Sequence, residues 1–192
     1  MLENGIASYK TVIIWINGAF GSGKTTTAVA LNRRLPNSFI YDPENAGDFI
    51  RRNTNGLFSE GDFQDIPLWR EMNYKMLRMT AEKYDGIIIV PMTLVNLDYY
   101  SEIVKRLSLD GINIKHYILY AKRDEIKRRL KRRALLHFRS ETFALEAIDR
   151  CINAFDNYVK EVKIHTDNMS REDIVNKIAD LAGLQLSWNR KI

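Results

Sequence analysis

Eight consecutive residues of this 192-residue chain, Gly18, Ala19, Phe20, Gly21, Ser22, Gly23, Lys24 and Thr25, have the types and spacing of G-x-x-x-x-G-K-[ST]. The chemistry open to such a run is to hold a phosphate chain. Its glycines let the backbone take positive φ and come close to a ligand, so that successive N–H groups turn inward as an anion-binding nest. A helix beginning at Thr25 would aim its positive dipole end at the same point. Lys24 would reach the β- and γ-phosphates of ATP, the Thr25 hydroxyl would ligate the Mg²⁺ they carry, and Thr26 joins the binding set.

Two further groups fit phosphoryl transfer. Asp42, in Tyr41-Asp42-Pro43-Glu44, lies just past a short apolar run. An acid beyond the carboxyl end of a parallel strand can orient or deprotonate an acceptor hydroxyl, or hold a water on magnesium. It can also open an Asp-Pro turn, a use compatible with the first. Lys122 to Arg133 contains eight basic and two acidic residues, a net of +6, which leaves the rest of this +5 chain about neutral. Charge so concentrated fits one local anion site better than a nucleic-acid footprint. Within it Arg129 and Arg133 are four apart on one helix face, a costly like-charge pair without an anion, and they read as a lid that neutralises the transferring oxygens. Arg150 is placed to approach the same phosphates from another helix.

The elements that must hold these groups alternate between strand and helix patterns. Val12 to Asn17 is nearly continuous apolar sequence, as in a parallel strand covered on both faces. A helix from Thr25 to Leu35 follows and stops at Pro36. Ser38 to Tyr41 is a short second strand, and the crossover from Asn45 to Asp85 is longer than one helix requires. We read residues 45–85 as an acceptor-binding lobe, with a short helix around Ala46 to Arg52 and a long one from Pro67 to Lys83. Arg51, Arg52 and Arg70 are candidates there to clamp an anion, and Phe49, Phe58, Phe63 and Trp69 to wall a pocket; core packing and solvated surface are the ordinary uses of such residues.

Gly86 to Val90 is a third strand, but it runs into Pro91-Met92-Thr93 where a Walker B strand would end in a magnesium-binding acid. That departure argues against switch and motor proteins. Thr93 either offers a hydroxyl at this place or caps the helix containing Tyr99, Ile103 and Leu107. Ile112 to Tyr120 is a fourth strand, followed by the lid at 122–140, a helix from Phe143 to Tyr158, and a last strand from Val162 to His165. Ser170 and Asp173 form a capping-box signal for a final helix that Gly183 ends.

Several classes are excluded or disfavoured. The single cysteine, Cys151, falls in an apolar helical stripe and reads as a core thiol, and the three histidines lack metal-ligand spacing. No N-K-x-D guanine signature is present. The apolar stretch Gly86 to Val95 is too short to span a bilayer, and Met1 to Gly5 lacks the basic and apolar regions of a secretory signal, so a cytoplasmic protein without nucleic-acid partners is expected. The chain reads as a single domain over residues 1–192.

The segment Ile13 to Thr25 resembles the phosphate-binding loop of the tunicamycin-resistance protein family. The likeness continues through Tyr41-Asp42-Pro43-Glu44, Pro67-Leu68-Trp69-Arg70, Ile89 to Thr93, Arg129-Leu130 with Arg133, Ile148-Asp149-Arg150-Cys151 and Thr166-Asp167-Asn168. That family is similar in layout to shikimate and nucleoside monophosphate kinases. The resemblance implies a three-layer α/β P-loop fold with a five-stranded parallel sheet in the order 2-3-1-4-5, an acceptor lobe and an arginine lid. It also implies Asp42 as the acid that handles the acceptor, Arg129 and Arg133 as lid arginines, and a nucleoside-like acceptor. Two readings follow: a small-molecule kinase using Mg·ATP, and an ATP-dependent protein that sequesters its ligand without chemistry.

Overall fold

β-branched and aromatic residues dominate Val12–Gly18, which forms β1 at the centre of a five-stranded sheet ordered β2-β3-β1-β4-β5. The computed structural model describes residues 10–58, 60–137 and 142–187, and within 133–137 and 142–146 only the helical backbone. The other strands are β2 (Ser38–Ile40), β3 (Ile87–Pro91), β4 (Asn113–Tyr120) and β5 (Val162–His165), and every neighbouring pair is parallel. This is the sheet order that the resemblance implied.

Period-two alternation along β1 divides the core. Ile13 and Trp15 face one side with Ile88 and Val90, where α3 (Pro67–Lys83) contributes Trp69 and Leu77. Ile14 and Ile16 face the other side, against Leu31 of α1 (Lys24–Arg34) and Val175 and Ile178 of α8 (Arg171–Ala182). A third cluster joins Ile118 of β4 to Ile126 and Leu130 of α6 (Arg123–His137) and to Ile148, Cys151 and Phe155 of α7 (Thr142–Asn157). Cys151 is fully buried there, and burial pushes its thiol pKa up, which agrees with a core role.

The lobe between β2 and β3 consists of α2 (Glu44–Asn53), a 3-10 turn at Phe63–Asp65, and α3. After β3 the chain forms α4 (Leu97–Tyr100), one π-helical stretch (Ser101–Lys105) and α5 (Arg106–Leu109). The cap of this helical run is Asn96, whose side chain accepts from the Asp98 and Tyr99 amides; Thr93 is used elsewhere. α8 has the predicted capping box of Ser170 and Asp173 and ends on Gly183 in the left-handed region.

His116 of β4 is 6 % exposed, stacks on Tyr100 with ring centroids 5.6 Å apart, and has no hydrogen-bond partner on either ring nitrogen among the described residues. Glu161, 3.9 Å from Nδ1, instead accepts the Tyr100 hydroxyl at 2.7 Å. Burial pushes the imidazole pKa down to about 3. Because the folded value lies below the unfolded one, the folded state loses ground as pH falls from about 6.5 toward 3. At pH 5 this one group is expected to cost about 2 kcal/mol relative to pH 8. Urea unfolding of wild type and His116→Phe at both pH values checks it: the variant should lack that part of the pH dependence.

Candidate functional site

The loop between β1 and α1 turns through three glycines with positive φ, 149° at Gly18, 80° at Gly21 and 100° at Gly23. It is clamped from below. The Asn17 side chain accepts from the Gly18 amide at 2.8 Å and from the Leu94 amide at 3.0 Å, and donates to the Leu94 carbonyl at 2.7 Å. The Thr93 hydroxyl donates to the Gly18 carbonyl at 2.8 Å. Thr93 thus occupies the position after β3 where an acid would be expected, and it holds the P-loop backbone there. α1 opens on Gly23 with no side-chain cap, and a Cβ added at Gly23 would meet nothing within 4 Å. Uncapped helical N–H groups beside open space are the arrangement that binds an anion. The Lys24 ammonium, which donates to the Gly18 and Ala19 carbonyls at 3.0 and 3.2 Å, lies within the loop's own curve, while Thr25 and Thr26 are exposed beside it.

α6 packs directly on this loop, since a Cβ at Gly21 would strike Leu130 at 2.9 Å. Arg129 of the same helix donates to the Ser22 carbonyl at 3.3 Å, to the Thr166 carbonyl at 2.7 Å and to the Thr166 hydroxyl at 3.1 Å. It therefore bridges the P-loop and the end of β5. Glu125 answers its charge at 2.7 Å, and the Arg128 and Arg129 guanidiniums hold that carboxyl down to about 2. The like-charge strain expected between Arg129 and Arg133 is thus already relieved at Arg129 by an acid one turn earlier, which spacing between the arginines alone did not reveal. Arg133 continues α6, and its side chain lies outside the described residues.

Two cavities flank the loop. One of about 170 Å³ is lined by Gly21, Ser22, Gly23, Thr26 and Arg129, with Arg171 opposite. The other, about 290 Å³, lies toward the lobe and includes Phe20 of the P-loop, Thr93, Asp62, Tyr99, Arg150 and Asn153 in its wall. The predicted binding residues Gly21, Ser22, Gly23, Thr26 and Arg129 are thus brought together on one side and Phe20 on the other. Ala19 is buried beneath the loop.

Asp42 does not line either cavity. Its Oδ1 accepts from the Glu44 amide at 3.0 Å, an Asx turn that starts α2. β3 lies between β2 and β1, and the segment after β3 abuts the P-loop through Thr93. The lobe's arginines are structural in this arrangement. Arg51 donates to the Phe58 and Gly61 carbonyls, and Arg52 pairs with Asp48 at the surface. Arg70, 8 % exposed, pairs with Glu102 at 2.7 Å, donates to the Gln64 carbonyl at 2.6 Å and lies over the Tyr99 ring. Trp69 and Phe63 pack with the core, whereas Phe49 and Phe58 are exposed. Asp149 ties α7 to α6 through a two-pronged pair with Arg123, and its neighbour Arg150 lines the larger cavity and not the one that Arg129 lines.

Asp62, Gln64, Asn96 and Asn153 were missed because no local spacing marks them. Tyr99, in an apolar stripe with Ile103 and Leu107, packs against the core beneath the Arg70 guanidinium and also borders the larger cavity.

The sheet order and the P-loop together define an α/β protein of the P-loop class. A family model described as an AAA domain matches residues 13–158, and the chain belongs to that family. No curated protein matches the sequence significantly. Among solved structures, the chain is similar to the tunicamycin resistance protein of Deinococcus radiodurans, with 29% identity, 92% of this chain and 98% of that one covered, and a TM-score of 0.77. It shares its fold with the APS kinase of Mycobacterium tuberculosis, solved with AMPPNP and APS, at 16% identity, 92% and 99% coverage and a TM-score of 0.58. The shikimate kinase of Bacteroides thetaiotaomicron has 22% identity, 90% and 99% coverage and a TM-score of 0.59. The resemblance seen in the motifs therefore extends over nearly the whole chain. Among the described residues, no helix is long and apolar enough to cross a membrane.

Proposed function

We propose that this protein is a small-molecule kinase of the cytoplasm that transfers the γ-phosphoryl of Mg·ATP to a nucleoside-like acceptor, and that this reaction protects a cell against tunicamycin. The observation that carries the reading is the pair of cavities divided by one P-loop, since phosphoryl transfer needs donor and acceptor on opposite sides of the transferring phosphorus. Gly18 to Thr26 cradle the phosphates, Lys24 supplies the point charge and Arg129 the planar fork. The exposed Thr25 hydroxyl offers a hard oxygen donor of the kind that suits Mg²⁺. When bound, the ion would neutralise phosphate charge. Arg133 extends the lid, and closure excludes water that would otherwise take the phosphoryl group.

The test is incubation with Mg·ATP and a panel of nucleosides and tunicamycin, followed by mass spectrometry for an added phosphoryl group. No product from any of them overturns the reading. Thr93 in place of an acid favours the second reading, ATP-dependent sequestration. Calorimetric binding of tunicamycin at one equivalent, without ADP release, would select it. Arg129→Lys, which keeps the charge but loses the fork onto Thr166 and Ser22, is expected to weaken ATP binding by roughly tenfold, about 1.4 kcal/mol, in a calorimetric titration.

A further inference from the structure

The larger cavity has two carboxylates in its wall, and they are differently committed. Asp65 accepts the Tyr99 hydroxyl at 2.7 Å and is exposed. Asp62 uses Oδ1 to cap the 3-10 turn, accepting from the Gln64 amide at 3.0 Å, and its second oxygen has no hydrogen-bond partner among the described residues. The turn itself is fixed from several directions. Gln64 donates its side-chain amide to the Thr93 carbonyl at 3.1 Å, and Arg70 grips the Gln64 carbonyl at 2.6 Å. Thr93 in turn holds the Gly18 carbonyl at 2.8 Å, so a short run of hydrogen bonds ties the Asp62 turn to the phosphate-binding loop. Across the same cavity α7 presents Arg150 and Asn153.

We propose that Asp62 is the acid that receives the acceptor's proton, with Arg150 and Asn153 orienting the acceptor from the opposite wall. The assignment rests on the phosphotransfer reading above and departs from it in one respect: the acid comes from the lobe's 3-10 turn and not from the loop after β2. Asp42 gives one oxygen to the start of α2, just as Asp62 gives one to its own turn, but Asp42 lines neither cavity. In the step, the acceptor oxygen forms a bond to the γ-phosphorus of ATP, and the bond from that phosphorus to the β,γ-bridging oxygen breaks. Its electron pair leaves on ADP, and the hydroxyl proton passes to the second Asp62 oxygen.

Asparagine preserves the capping oxygen at position 62, so Asp62→Asn keeps the turn while removing the base. With whichever member of the nucleoside and tunicamycin panel wild type phosphorylates, Asp62→Asn is expected to lower kcat by about 100- to 1,000-fold. The KM for ATP should stay within a few-fold, and the acid limb of the kcat–pH profile should vanish. Asp62→Glu should recover part of kcat and restore that limb, and Asp42→Asn should keep it. If Asp62→Asn retains kcat within threefold while Asp42→Asn loses the limb, the proposal is overturned and the kinase reading stands. If wild type phosphorylates nothing in the panel, both are overturned together.

Discussion

Replacement of Lys24 by alanine is expected to weaken Mg·ATP binding by at least about 100-fold, on the order of 3 kcal/mol, because an ammonium against a phosphate chain makes charge-assisted hydrogen bonds that a methyl group cannot replace. The structure explains why the fold should survive. The Lys24 ammonium donates to the Gly18 and Ala19 carbonyls at the loop's rim and takes no part in the three hydrophobic clusters. The glycine conformations and the Asn17 and Thr93 clamps on Gly18 do not involve it. Calorimetric titration with a non-hydrolysable ATP analogue, paired with a thermal melt, checks the result. Unchanged affinity in a variant melting within a few degrees of wild type would remove the basis for a nucleotide site.

Gly18→Ala acts in the opposite way, through the fold and only then through the site. A Cβ at Gly18 would lie 2.4 Å from the Ser22 hydroxyl oxygen and 2.8 Å from the Leu119 carbonyl oxygen, and the backbone φ of 149° disfavours any side chain. Ser22 could rotate away; Leu119 is backbone of β4, paired with β1 in register, and cannot. Overpacking and backbone strain together should cost roughly 2–5 kcal/mol, a fall in melting temperature of about 5–15 °C for a domain of this size. Gly23→Ala is the contrast. Its φ of 100° is also unfavourable, but a Cβ there meets nothing, so about 1–2 kcal/mol is expected. Equal melting temperatures for the two variants would show that the contact with β4 does not constrain the loop.

The phosphate-binding loop and the sheet that carries it were readable from residue order alone, for a local reason. A P-loop depends on backbone conformations that only glycine adopts easily and on side chains within a few residues of them, and parallel strands buried on both faces announce themselves as apolar runs such as Ile13 to Ile16 and Ile87 to Val90. Helix boundaries shifted by a residue or two, as with α1 starting at Lys24, because helical ends depend on capping geometry as well as composition.

What the tertiary structure decided is which polar groups meet across sequence. Asp42 follows a strand and one of its oxygens starts a helix, while Asp62, in a stretch with no marked pattern, caps a 3-10 turn in the wall of the larger cavity. Thr93 was left open between a cap and a functional hydroxyl, and the fold uses it to hold Gly18, 75 positions away. Arg129 was marked by charge and spacing, but its partners Ser22 and Thr166 come from two other parts of the chain. Periodicity and turn chemistry act over a few residues and so are written into the sequence directly. The pairing of a buried or half-buried polar group depends on which distant segment the packing brings within about 3 Å of it.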